Sequence, residues 1–168
     1  MRAITIWQPY ASLIVLGLKR FETRSWTTTY RGPLIIQAAK KWDCDRSADY
    51  GRVLELIAEH GFPQSTDEDS PSNLAMRETL GCVLGVVDLT DCQPMLDGGS
   101  VFENEVGFFG EGRFGWTCSN PVAFRKPIPV VGKQGLWVPS PELVVDVEHL
   151  AKIEAAKQMT AIGTYQCH

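Results

Sequence analysis

A chain of 168 residues with 44% hydrophobic content can bury one core and is short for two domains. No run approaches the ~18 consecutive apolar residues of a membrane-spanning helix, and a formal net charge of −4 excludes a protein that coats nucleic acid by bulk positive charge. The five cysteines, Cys44, Cys82, Cys92, Cys118 and Cys167, form no CxxC pair and leave one over in any disulfide scheme. With no signal-peptide pattern at the N-terminus, they read as reduced thiols of a cytoplasmic protein, without a structural zinc site.

Residues 3–7 are apolar and β-prone, and Pro9 suits the first turn of a helix whose apolar positions Tyr10, Leu13, Ile14 and Leu18 recur at helical spacing. Gly17 reads as the C-cap of that helix. Residues 21–26 alternate like a strand, so Glu22, Arg24 and Trp26 share one face while Phe21, Thr23 and Ser25 share the other. Arg31-Gly32-Pro33 predicts a turn, and residues 34–39 form an apolar run of buried-strand length closed by Lys40 and Lys41.

Asp43 or Asp45 can cap a helix with the stripe Tyr50, Val53, Leu54 and Ile57, ending near Gly61. The acidic stretch 64–73 reads as a mobile surface loop, followed by a helical turn around 74–80. Residues 82–89 are the strongest strand pattern and should be central. Residues 91–113, rich in glycine and acidic side chains, predict a long loop over one mouth of the fold, with Phe102, Phe108 and Phe109 as anchors. Residues 114–118, 122–125 and 136–138 read as short strands separated by turns, with Pro127 and Pro129 at edges or bends. Many short strands imply a small barrel or closed sheet. Ser140-Pro141 starts a last helical segment with Leu150 and Ile153 inward, before a polar tail.

Charge is unevenly placed. Residues 1–46 carry eight Lys/Arg against three Asp/Glu, a balance of +5, while the remainder carries eight against seventeen, a balance of −9. That pattern describes either a local anion-binding surface on an acidic body or a solvated face. The histidines, His60, His149 and His168, have no serine or cysteine partner in a nucleophile-elbow setting, and no HExxH, GxGxxG or Walker A motif occurs. No cofactor and no metal is therefore expected.

The chemistry concentrates in Gly17-Leu18-Lys19-Arg20-Phe21-Glu22-Thr23-Arg24. Lys19 and Arg24 can grip a phosphate or base carbonyl while Glu22 accepts a hydrogen bond from a base edge; Lys19, crowded by Arg20 and Arg24, also suits a base of lowered pKa. A surface ion-pair ladder accounts for the same spacing. Trp7, Tyr10 and Trp26 flank the motif as candidate stacking platforms or as core and rim residues. Trp116 and Trp137 belong to the core. Lys40 and Lys41 can contact phosphate or simply end a strand in solvent. Glu103, Glu105 and Glu111 are the loop carboxylates available as a general acid.

Gly17-x-Lys19-x-x-Glu22-x-Arg24 resembles the GxKxxExR signature of the ASCH domain, and the surroundings agree. Ile6-Trp7-Gln8-Pro9-Tyr10-Ala11 precedes the motif, and Arg31-Gly32 and the strand 34–39 follow it. Further on come the strand 81–91, Gly112-Arg113-Phe114-Gly115-Trp116, Pro127 and Gly132-Lys133-Gln134-Gly135-Leu136-Trp137. The chain looks most like the branch containing the endothelial-overexpressed lipopolysaccharide-associated factor-like proteins. The resemblance covers about residues 3–138 and implies an α+β, PUA-like fold, a small mixed β-barrel with flanking helices, over 1–139, with 140–168 as a helical extension and tail.

The resemblance also implies RNA or a nucleotide or modified nucleoside as partner, in a cleft beside the motif lined by Trp7, Tyr10, Lys19, Glu22, Arg24, Trp26 and Lys40. Some relatives are amidohydrolases on acetylated cytidine, and one is a ribonuclease; by that analogy the catalytic set is Lys19 with Glu22 and Glu105, or Glu103 in place of Glu105. This chain departs from the amidohydrolases at Glu22, where they carry a threonine nucleophile, and the adjacent Thr23 should face the other way. A third expectation is an adaptor binding a protein partner through its acidic loops.

Overall fold

The computed structural model describes residues 1–41 and 79–164. The predicted helix from Asp43, the 64–73 loop and most of the 74–80 turn lie outside the described residues. Strand β1 (Arg2–Ile6) lies parallel to β3 (Gly32–Ala38), with Arg2 opposite Leu34 and Ile6 opposite Ala38. A parallel pair needs a crossover. Helix α1 (Tyr10–Val15) and strand β2 (Phe21–Arg24) form it. Strand β4 (Cys82–Pro94) runs antiparallel to β3, β5 (Phe114–Pro129) antiparallel to β4, and β6 (Leu136–Trp137) antiparallel to β1. The sheet order is β2-β5-β4-β3-β1-β6. Two more helices among the described residues, α2 (Val101–Val106) and α3 (Pro141–Thr164), complete an α+β fold.

The alternation of each strand feeds two apolar layers. Ile4, Ile6, Leu34, Ile36 and Leu89 pack with Ile14 and Val15 of α1 and with Trp116 on one face. Ala3, Ile35, Val83 and Val86 pack with Leu143 and Val147 of α3 on the other. A strand buried on both faces reads as a continuous apolar run, which is why residues 34–39 and 82–89 look as they do in sequence. The expected central position of β4 is what the sheet order shows.

The sheet is a curled half-barrel. In sheet order β2 stands four places from β1, yet Arg24 Nη2 on β2 donates to Thr5 O on β1 at 3.1 Å. Only strong curling brings those strands together, and the small barrel expected from sequence is in this sense present but open between β2 and β6.

Three expectations are corrected. Residues 114–118 and 122–125 are not two strands but parts of the single β5, which continues through Pro127 to Pro129. The turn signal at Asn120-Pro121 is absorbed as a bulge: Asp88 pairs with Ser119 and Val86 with Val122, and Asn120 takes a φ of 50°. Residues 91–113 are not all loop, because β4 runs on to Pro94 and α2 occupies Val101–Val106. In α3, Leu150 packs against the core as expected, but Ile153 is 37% exposed and Glu154 turns inward instead, ion-paired with Lys157 and Arg125.

Candidate functional site

Helix α1 ends where Gly17 adopts a φ of +76°, a left-handed turn in which the amides of Leu18 and Lys19 both donate to Leu13 O. An added Cβ at Gly17 would sit 3.0 Å from Pro121 Cγ, so both conformation and space call for glycine. This turn drops Lys19 into the interior. Its side chain is 2% exposed, with Nζ 4.0 Å from Glu103 Oε2 and 5.8 Å from the centroid of the Phe109 ring. Burial lowers the Lys19 pKa, and the charges of Glu22 and then Glu103 oppose that shift.

Glu103 reaches Lys19 from α2. Ser100 caps that helix by accepting from the Glu103 amide at 3.1 Å, and Glu103 Oε1 accepts from the Arg20 amide at 2.6 Å. Glu103 is 2% exposed, whereas Glu105 is exposed on the same helix, so of the loop carboxylates it is Glu103 that faces the lysine.

The alternation expected of β2 holds. Phe21 meets Phe109 edge-on at 6.5 Å and Thr23 Oγ1 accepts from the Phe108 amide, both on the loop side. Glu22 and Arg24 take the inner side, with Arg24 Nε 2.9 Å from Glu22 Oε1. Arg24 is thus clamped between a carboxylate and the Thr5 carbonyl.

An open cleft of about 1040 Å³ lies beyond the carboxyl ends of β1 and β3. Trp7, Arg24, Gln37 and Lys40 line it together with the turn 129–135, including Gly132 and Lys133. Trp7 is 41% exposed and turns part of its ring to the cleft. Of the residues expected to bind ligand, Trp7, Arg24 and Lys40 meet here. Lys19 and Glu22 are buried and do not line this cleft, Tyr10 packs half-buried against the core, and Trp26 stands edge-on to Trp116 at 4.6 Å. Thr5, Gln37 and Lys133 were missed. A glutamine inside the apolar run 34–39 was the available signal, since a buried strand has little reason to carry one.

Among the described residues, no three His, Cys, Asp or Glu side chains stand close enough to hold a metal ion, and no helix is long and apolar enough to cross a membrane. Cys92 and Cys118 carry free thiols.

The ASCH domain family profile matches residues 4–128. This chain belongs to the ASCH domain family. The curled sheet is accordingly PUA-like, and ASCH domains generally bind RNA. Over 134 residues the chain is 32% identical to Activating signal cointegrator 1 of Homo sapiens and of Mus musculus, an alignment covering 80% of this chain and 21% of each relative. The chain therefore spans about a fifth of the length of those relatives.

Proposed function

We propose that this ASCH domain binds single-stranded RNA or a nucleotide-sized ligand in the cleft beyond β1 and β3. The observation that carries the reading is the exposed Trp7 sharing one cleft with Arg24, Lys40 and Lys133. A π-face beside cations suits a stacked base and its phosphate, and it works on an acidic chain because the positive charge is local. In this reading Glu22 holds Arg24 in place, and Arg24 alone of the motif touches the ligand.

Titrating short single-stranded RNA and nucleoside monophosphates into wild type, Trp7→Ala and Lys40→Ala tests it. Loss of a stacked aromatic should weaken binding by about tenfold or more. Equal affinity in all three proteins would sink the idea. These side chains are better probes than Lys19, whose removal would damage the fold.

A second reading, a metal-independent hydrolase on acetylated cytidine or on RNA, draws on one observation: a lysine of lowered pKa 4.0 Å from a buried carboxylate. Lys19 would act as base and Glu103 as proton donor, and Phe109 would have to move to admit substrate. Release of cytidine from its acetylated form, or cleavage of RNA, by wild type but not by Lys19→Gln would favour it; inert wild type against both substrates would remove it.

A further inference from the structure

Resting on the reading of the cleft as a nucleotide site, we propose a division of labour within it: Arg24, neutralised by Glu22, reads the base, while Lys40 and Lys133 hold the phosphate. Arg24 opens onto the cleft with 26% of its side chain exposed. Its Nε is buried 2.9 Å from Glu22 Oε1, and its Nη2 donates one N–H to Thr5 O at 3.1 Å. A guanidinium carries five N–H donors, so three remain on the two Nη atoms. The contacts to Glu22 and Thr5 fix the plane in which those three are offered.

Charge separates the cations of the cleft into two kinds. Glu22 is buried, and at 2.9 Å its carboxylate cancels the charge of Arg24 for any group further away. Lys40 and Lys133 are exposed, and among the described residues neither has a carboxylate within ion-pair distance. Arg24 thus brings donors with little net charge, whereas the lysines bring charge. Arg24 also stands beside the aromatic platform: the carbonyl it holds belongs to Thr5, and Trp7 follows two residues later, about 7 Å along an extended chain. Thr5 Oγ1 in turn donates to Lys133 O at 2.9 Å, tying the lysine-bearing turn to the same strand.

That division selects the base. A planar group with donors and no acceptor matches two acceptors standing side by side, as in guanine O6 and N7 or cytosine N3 and O2. Adenine N1 and N7 and uracil O2 and O4 each stand beside an N–H, which a donor-only group repels. A phosphate gains more from the uncompensated lysines. Glu22 is in this scheme a positioning residue, acting on the ligand through Arg24.

The test is titration of GMP, CMP, AMP, UMP and ribose 5-phosphate into wild type, Arg24→Lys and Glu22→Gln. Wild type should bind GMP and CMP about tenfold more tightly than AMP and UMP. Arg24→Lys keeps a cation but loses the fork, so the four nucleotides should bind with ratios near one while ribose 5-phosphate binds as in wild type. Glu22→Gln uncovers the charge of Arg24, so ribose 5-phosphate should bind more tightly than to wild type and the preference for GMP and CMP should shrink. Wild type binding all four nucleotides alike would overturn the proposal, as would a base preference that survives in Arg24→Lys. Loss of ribose 5-phosphate binding in Arg24→Lys would make Arg24 a phosphate ligand and overturn it too, and so would Glu22→Gln that matches wild type on all five. Wild type that binds none of the five would overturn the nucleotide reading of the cleft together with this one.

Discussion

Lys19 and Glu103 show what a charge pair does when the fold takes it out of water. Breaking a buried pair leaves the survivor uncompensated, so Glu103→Ala should lower stability by about 3 kcal/mol in urea unfolding. Glu103→Gln, which still accepts from the Arg20 amide, should lower it less. The pH dependence follows from the depressed lysine pKa. Between the folded value and 10.5 the unfolded chain binds the proton and the folded chain does not, so stability rises with pH across that window. The urea midpoint of wild type should climb relative to that of Lys19→Met as the pH approaches 10.5 from below. Burial also pushes the Cys118 thiol up to about 12, so Cys118 should resist iodoacetamide at pH 8 in the native protein while the half-buried Cys92 reacts, as mass mapping of the labelled cysteines would show.

Among elements, the two ends of the domain depend on single positions. Gly17→Ala forces a side chain into a left-handed turn beside Pro121 and should cost about 1–2 kcal/mol, measured by thermal unfolding. Helix α3 is capped by Ser140 Oγ, which accepts from the Leu143 amide at 3.3 Å, and it buries Leu143 and Val147 against Phe124 and Trp137. Val147→Ala should therefore cost about 2 kcal/mol, so the segment from 140 onward contributes to the stability of the sheet it covers. Helix α1 was legible from the recurrence of Tyr10, Leu13 and Ile14, and β3 and β4 from their unbroken apolar runs. Strand β5 was not legible as one strand, since Asn120-Pro121 looks alike in a turn and in a bulge and only the partner strand distinguishes them.

At the scale of the whole molecule, the net charge of −4 and the basic first 46 residues together predict binding through few phosphates. Each phosphate contact to a single strand contributes ~0.7 to the slope of log affinity against log salt, so about two or three contacts give a shallow slope of roughly −2. Lys40→Ala should flatten it by about 0.7 in titrations at several salt concentrations, a change that a lysine remote from RNA would not produce.

The local chemistry of the chain, by itself, determined that the helix stops before Gly17, one residue ahead of the expected cap, that Glu22 and Arg24 share a face, and that β3 and β4 are interior. Backbone conformation at a glycine, strand alternation and apolar runs are short-range properties, readable within a few residues. The family signature was equally local. Which of the motif's charges opens onto the cleft was decided only by the curl of the sheet. That curl brings Arg24 to Thr5 and into a cleft with Trp7, Gln37 and Lys40, while it seals Lys19 against Glu103, 84 positions further along the chain. Burial and contact between distant segments are sums over the whole fold, and no window of sequence contains them.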